Sequence, residues 1–292
     1  MQQKPRLHQS VLAAALLGLA LAACSDGGTG PSTGLTASQA QDVADVVTTD
    51  ADAMIDASTL TTTGVAIAPG IQRGSPPCSP SITPNPPSNS DGDAVPDSVR
   101  FDFAGCSFSR GLFDFQLSGF IDVTDPVPGP DDFGIRFVFT DFTSQRTLQQ
   151  TNRTTTVEFN GTRQITGNSN SLSHLITNFR TDVTFPHGGT ASHVKDWNGS
   201  FTADQAGSIT PGQPLPSGTL NIAGSSQWTR GADEVFSITI TTSGLHYDTS
   251  CTVAPKFDAG TVTAVVTRGS QVTNVVIQHT ACGQYTVTRS NN

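Results

Sequence analysis

The chain has 292 residues, carries 15 Lys+Arg against 24 Asp+Glu for a net charge of −9, and is 35% hydrophobic and 7% aromatic. An acidic balance of that kind weighs against partners gripped through a broad basic face, nucleic acid above all. Only Glu158 and Glu234 are Glu; the rest of the acid is Asp, which together with abundant Gly, Pro, Ser, Thr and Asn favours turns and strands over long helices.

The amino terminus, MQQKPRLHQS, is basic through Lys4 and Arg6 and leads into the uncharged run VLAAALLGLALAA, residues 11–23. That run is shorter than the roughly twenty residues a membrane-spanning helix needs. Basic, then apolar, then small is the order of a secretory signal peptide, so residues 1–23 are set aside from the fold. The end of the run, Leu21-Ala22-Ala23-Cys24, resembles the lipobox of bacterial lipoproteins. The resemblance covers the first 24 residues and implies cleavage before Cys24, a diacylglycerol on its sulfur and acylation of the new amino terminus. With Ser25 rather than Asp following, it also implies the outer membrane, facing periplasm or cell surface. One acyl chain holds marginally, whereas two or three, at about 0.8 kcal/mol per buried methylene, hold durably. A chain beginning at Cys24 keeps thirteen basic and all twenty-four acidic groups, so membrane contact is expected through lipidated Cys24 and not through a basic surface.

Residues 24–34 lack an apolar anchor and read as a flexible tether, and 35–292 as a single β-rich domain. Thr36 with Gln39 forms a capping box for an amphipathic helix over 36–57. Ala40, Val43, Ala44, Val47, Ala51, Met54 and Ile55 make its apolar stripe, opposite Asp42, Asp45, Asp52 and Asp56. Such a narrow stripe suits a helix lying on a sheet. A Pro-rich segment, 75–88, follows, and beyond Val99 apolar and polar residues alternate with period two. Phe113, Phe115, Leu117, Ile121 and Val123 form one such series, Ile135, Phe137 and Phe139 another, and Leu175, Phe179, Val183 and Phe185 a third. Hairpin turns are expected at Asn160-Gly161, Arg230-Gly231-Ala232-Asp233 and Arg268-Gly269-Ser270. The fold class is therefore mainly β: one large antiparallel meander of about nine to twelve strands, curled into a barrel, half-barrel or sandwich, with one amino-terminal helix.

Besides Cys24, the cysteines are Cys78, Cys106, Cys251 and Cys282. An even number in an exported chain reads as two disulfides, and sequence neighbours are the favoured pairs. Each bridge would remove roughly 3–4 kcal/mol of unfolded-state entropy on the loop-closure model.

The stretch NSDGDAVPD, residues 89–97, offers Asn89, Asp91, Asp93, the Val95 carbonyl and Asp97 at the alternate spacing by which one short loop surrounds a hard cation. It is similar to a single thrombospondin type 3 repeat, a calcium motif, over nine residues. Ala94 stands where Gly eases the turn, and Arg100 where an EF-hand supplies a bidentate Glu, so an outside carboxylate such as Asp102 would have to close the shell. Calcium there would be structural and weakly held, on the order of 0.1–1 mM. The alternative is a solvated Asp turn. A second acidic loop, with Asp125, Asp131 and Asp132, lacks ligand spacing.

His187 and His193 bracket a Gly-Gly turn near Asp196, a minor zinc candidate; His174, His246 and His279 are scattered along strands. Trp197, Trp228, Tyr247 and Tyr285 are read as packing rather than a sugar platform. The chain has no G-x-S-x-G elbow, P-loop or dinucleotide fingerprint. The expected function is accordingly a non-enzymatic, membrane-anchored envelope lipoprotein with a binding or structural β-domain and a calcium-stabilised loop. The alternative is a carrier or chaperone that holds a lipid or other hydrophobic ligand inside a curved sheet. A hydrolase would require a cleft that unites nucleophile, base and orienting group.

Overall fold

The computed structural model describes residues 34–57, 78, 80–92, 95–127, 129, 132–231 and 234–291. Cys24, Asp93 and Asp131 lie outside the described residues. The one helix among the described residues, α1 (Ala37–Ala57), is capped as its sequence dictates. Gln39 N donates to Thr36 Oγ1 at 3.2 Å, and Thr36 N donates to Gln39 Oε1 at 2.8 Å.

Thirteen strands follow: β1 (Ser81–Thr83), β2 (Ser98–Asp102), β3 (Cys106–Arg110), β4 (Phe113–Thr124), β5 (Phe133–Leu148), β6 (Arg153–Gly167), β7 (Ser171–Thr184), β8 (Thr190–Ala203), β9 (Gly218–Arg230), β10 (Glu234–Tyr247), β11 (Phe257–Arg268), β12 (Gln271–Ala281) and β13 (Gln284–Asn291). They form a single antiparallel sheet in chain order, with β3 set beside β4 off the main path. The path does not close, since β1 and β13 remain its two ends. One open sheet rules out both the closed barrel and the two-sheet sandwich, and leaves the curled half-barrel of the three expected forms. The strand number exceeds the expected range because β1 and β3 are too short to show a period.

One helix about 10 Å across cannot cover a sheet that would be some 50 Å wide if flat. Yet a continuous apolar core runs from Val99 on β2 to Ile277 on β12 and includes Val43, Val47, Met54 and Ile55 of α1. The sheet therefore curls, and its own inner face supplies most of what the helix cannot. Burying Met54 and Ile55, 2% and 3% exposed, stabilises helix docking by roughly 1.5–3 kcal/mol each.

The bend has a local cause. Register shifts fall between Ser118 and Phe120, Phe139 and Phe142, Asn160 and Thr162, Ile176 and Phe179, and Ser243 and His246. From β4 to β7 these bulges line up strand by strand into a seam, β8 and β9 pair without a shift, and the β10 bulge stands apart; each bulge bends its strand and steepens the twist. Asp141 and Asn178 take positive φ on this seam, at 47° and 45°. Their backbone amides are caught by the next strand: Asp141 N donates to Asn160 Oδ1 at 2.8 Å and Asn178 N to Asp196 Oδ1 at 2.6 Å.

The seam corrects two expectations. Asn160-Gly161 is not a hairpin turn; it lies inside β6, where Gly161, at φ 122°, allows the close approach of Asn178. Leu175 is 43% exposed, while His174 and Ile176 are buried, because the bulge at Asn178 shifts the inward phase of β7 by one residue. The turns at Gly231 and Gly269-Ser270 stand where expected, between β9 and β10 and between β11 and β12.

An antiparallel meander gathers its connections at two poles. The long loops 84–97, 125–132, 204–217 and 248–256 share one pole with the turn 282–283. The short turns 111–112, 149–152, 185–189, 231–233 and 269–270 share the other. Leu35 lies at the short-turn pole, where its amide donates to Thr273 Oγ1 at 3.1 Å and its carbonyl accepts from Arg289. Among the described residues no helix is long and apolar enough to cross a membrane.

Candidate functional site

The acidic loop expected to hold calcium is pinned from three sides at the long-loop pole. Val95, 1% exposed, plugs it into the core. Asp97 Oδ1 accepts from both the amide and the hydroxyl of Ser90 at 2.8 Å, which holds its carboxyl below the usual range. Gly92 N donates to Asn89 Oδ1 at 2.8 Å, and Asp97 N to Ser88 O at 2.9 Å. Cys78 bonded to Cys106 ties the approach to this loop to β3.

Asp102 does not turn toward this loop; its Oδ1 accepts from Ala104 N beyond the far end of β2. The outside carboxylate brought beside the loop is Asp125, from the second acidic loop. Asp125 N donates to Asp97 O at 3.3 Å, and Gly129 N donates to Asp91 Oδ2 at 3.1 Å, so the two acidic loops are laced together. The Asp125 carboxyl is pushed up, first by burial and then by the carboxylates of Asp91 and Asp97, with Asp91 sharing a hydrogen bond with it. Among the described residues these carboxylates do not converge within the 4.8 Å of one another that a ready cage requires. Sequence spacing missed Asp125 because it is 28 residues from Asp97 and is brought in by the β2–β4 pairing of Ser98 with Thr124.

The other close grouping at this pole is Asp248, Cys251 and Cys282. Its two sulfurs are joined to each other, so it offers a metal little beyond one carboxylate. Cys251–Cys282 and Cys78–Cys106 are the sequence-neighbour pairs that were favoured.

A third polar group joins three connections at the same pole. His246 on β10 meets Asp258 of β11 through Nδ1 at 2.7 Å and Asp204 of the β8–β9 loop through Nε2 at 2.9 Å. The bond to Asp204, and then Asp258, raises the His246 pKa against a smaller effect of burial. With both ring nitrogens facing carboxylates, the imidazolium is the natural state and neither nitrogen is available as a base. His187 and His193 do not form a zinc pair. His187 is exposed and stacks on Phe185, whereas His193 is 6% exposed and stacks on Trp228 at 3.5 Å. Trp197 and Tyr247 are buried in the core, as expected of packing residues.

Sequence reading missed a polar cluster on the inner face of the curled sheet. Lys195 of β8 pairs with Asp50 of α1 at 2.5 Å. Arg163 of β6 lies near it in the field of the same Asp50, with His174 Nε2 at 3.5 Å and the Phe179 ring at 6.0 Å. Burial pulls Arg163 down to about 10, and it pushes His174, with Arg163 adding to the effect, well below the usual histidine range. Two cations thus face one carboxylate, and His174 Nδ1 and Thr48 Oγ1, both buried, have no hydrogen-bond partner. A phase slip in β7 hid His174, which points outward when the strand is read at constant period two.

No family model, curated protein or solved structure matches the chain. The reading of function therefore rests on these groups alone.

Proposed function

We propose that the chain is a lipid-anchored, non-enzymatic envelope lipoprotein whose β-domain serves as a rigid binding or structural module, stapled at the long-loop pole by calcium. The observation that carries the calcium part is Asp125. An oxygen-rich loop that lacked an outside carboxylate in sequence has one beside Asp91, held with a raised pKa by burial and like charge. A divalent cation would relieve that repulsion and take over oxygens now occupied by one another. Asn89, Asp91, Asp93, the Val95 carbonyl and Asp97, joined by Asp125, are the proposed ligands.

The test is thermal unfolding with calcium and with chelator. At ten times a millimolar Kd the ion adds about 1.4 kcal/mol, a rise of about 3–5 °C for a domain of this size. Asp125→Asn should abolish that rise and, in chelator, should leave the melting temperature equal or higher, since it removes a repelled carboxyl. A wild-type melting temperature indifferent to calcium rejects the ion.

A second reading, the carrier, is favoured by Arg163. A half-buried guanidinium keeps its proton and, drawn partly out of water, is stabilised where an anion meets it. Asp50 is already engaged by Lys195, and Phe139, Phe142, Phe159 and Phe179 lie on the same inner face. That combination suits an amphiphile with one anionic head and an apolar tail. Native mass spectrometry with a long-chain fatty acid and the fatty alcohol of equal length provides the test. Selective retention of the acid, lost in Arg163→Gln, supports the carrier; equal retention of both sinks it.

A further inference from the structure

The fold sorts by pole the charges that the sequence scatters. Strand ends and loops at the long-loop pole carry Asp91, Asp125, Asp132, Asp204, Asp248 and Asp258, with Arg136 and Lys256 as the nearby cations. At the short-turn pole stand Arg146, Arg153, Arg268 and Arg289. The acids placed there are Asp114, whose carboxylate is occupied by Ser109 and Gln149, Asp182, which pairs with Arg180 at 2.6 Å, and, by position, Glu234; Asp233 lies outside the described residues. Arg153, Arg268 and Arg289 are exposed, and Arg146 lies over the Phe113 ring at 3.6 Å.

Two further observations mark the same end. Leu112, in the β3–β4 turn, and Val235, at the start of β10, are 53% and 45% exposed, apolar tips set among arginines. Leu35, next to the tether, is also held here, its amide donating to Thr273 and its carbonyl accepting from Arg289. The ten steps from Cys24 to Gly34 reach at most about 35 Å when fully extended. A tether that short holds this pole within about 35 Å of the bilayer that an acylated Cys24 would enter.

Distance decides whether the overall negative charge matters. A fourteen-residue strand such as β7 spans roughly 45 Å along its axis and, at a barrel-like tilt, about 35 Å between poles. The Debye length at physiological salt is about 8 Å, so a surface touching the arginine pole is screened from the acidic one.

We propose that the short-turn pole is a docking face for an anionic phospholipid surface, with arginines on headgroup phosphates and Leu112 and Val235 entering the interface. The proposal draws one of its three arguments, the tether, from the lipid-anchor reading, and its test is independent of acyl chains. The Cys24→Ser chain should sediment with vesicles of phosphatidylglycerol and phosphatidylcholine at about 0.05 M salt and be released at about 0.5 M. Vesicles of phosphatidylcholine alone should not retain it. Arg153→Gln and Arg268→Gln should each weaken binding about fivefold, Arg153→Lys should retain it, and Leu112→Asp should weaken it. Asp132→Asn, at the opposite pole, should leave binding unchanged. Unchanged urea midpoints establish that each variant is folded. No retention on the anionic vesicles, equal retention on both kinds, or equal loss with Asp132→Asn overturns the proposal. A wild-type chain found soluble on cell fractionation would refute the anchor and leave this result standing.

Discussion

His246 and the buried histidines pull stability in opposite directions with pH, and the signs follow from their surroundings. His246, between Asp204 and Asp258, has a folded pKa above its unfolded value near 6.5. Its clamp therefore contributes fully below about pH 6.5 and is lost as pH rises through the folded value. His174, His193 and His279 are depressed by burial, His279 to about 4. They favour the folded state while neutral and withdraw that support as pH falls below about 6.5. Urea midpoints should consequently be highest near pH 6.5 and decline on both sides. His246→Gln should flatten the alkaline decline and leave the acid side intact; an unchanged alkaline slope would show that the clamp contributes nothing. None of these pairings was legible in the sequence, because Asp204, His246 and Asp258 sit in three different segments that only strand pairing unites.

At the scale of the element, the seam of bulges is what turns a ribbon into a curved sheet. Gly161 shows how much depends on one missing Cβ. A methyl there would lie 2.4 Å from the Asn178 carbonyl oxygen, with φ held at 122°. Gly161→Ala should cost about 2–4 kcal/mol through strain and overlap together. Gly105, at φ 76° with nothing within 4 Å of a built Cβ, provides the control, and Gly105→Ala should cost only about 1 kcal/mol. Equal shifts in urea midpoint for the two would mean that the seam tolerates rearrangement. The Asn-Gly pair was read as a turn because its conformational demand is the same in both settings: a residue that accepts unusual φ beside a side chain that caps a neighbouring amide. The helix was read more closely, since its cap and its apolar stripe are both local. Thr36, Gln39 and the series from Ala40 to Ile55 lie within one segment and need no partner to declare themselves.

At the scale of the whole molecule, a negative total conceals two unlike ends. Composition weighed against contact with anionic headgroups because it sums over a molecule several Debye lengths long. In an antiparallel meander alternate connections return to the same pole, so residues far apart in the chain, such as Arg153, Arg268 and Arg289, become neighbours of one surface without any local signal. The two disulfides and the calcium-like spacing of residues 89–97 were visible because both are written within about thirty residues of chain. The placing of Asp125 beside that loop was not, since the β2–β4 pairing brings it there.

The sequence by itself determined the strand-rich class, the amino-terminal helix and its inward face, the nearest-neighbour cystine pairs and the acidic loop, since each depends on periodicity or spacing within a single segment. Only the tertiary structure decided that the sheet stays open, that a bulge switches which residues of β7 face inward, that Arg163 meets His174 in the field of Asp50, and that charge divides between the poles. Those outcomes depend on which strands pair and in what register, a choice made by hydrophobic burial over the whole domain rather than by any stretch of residues.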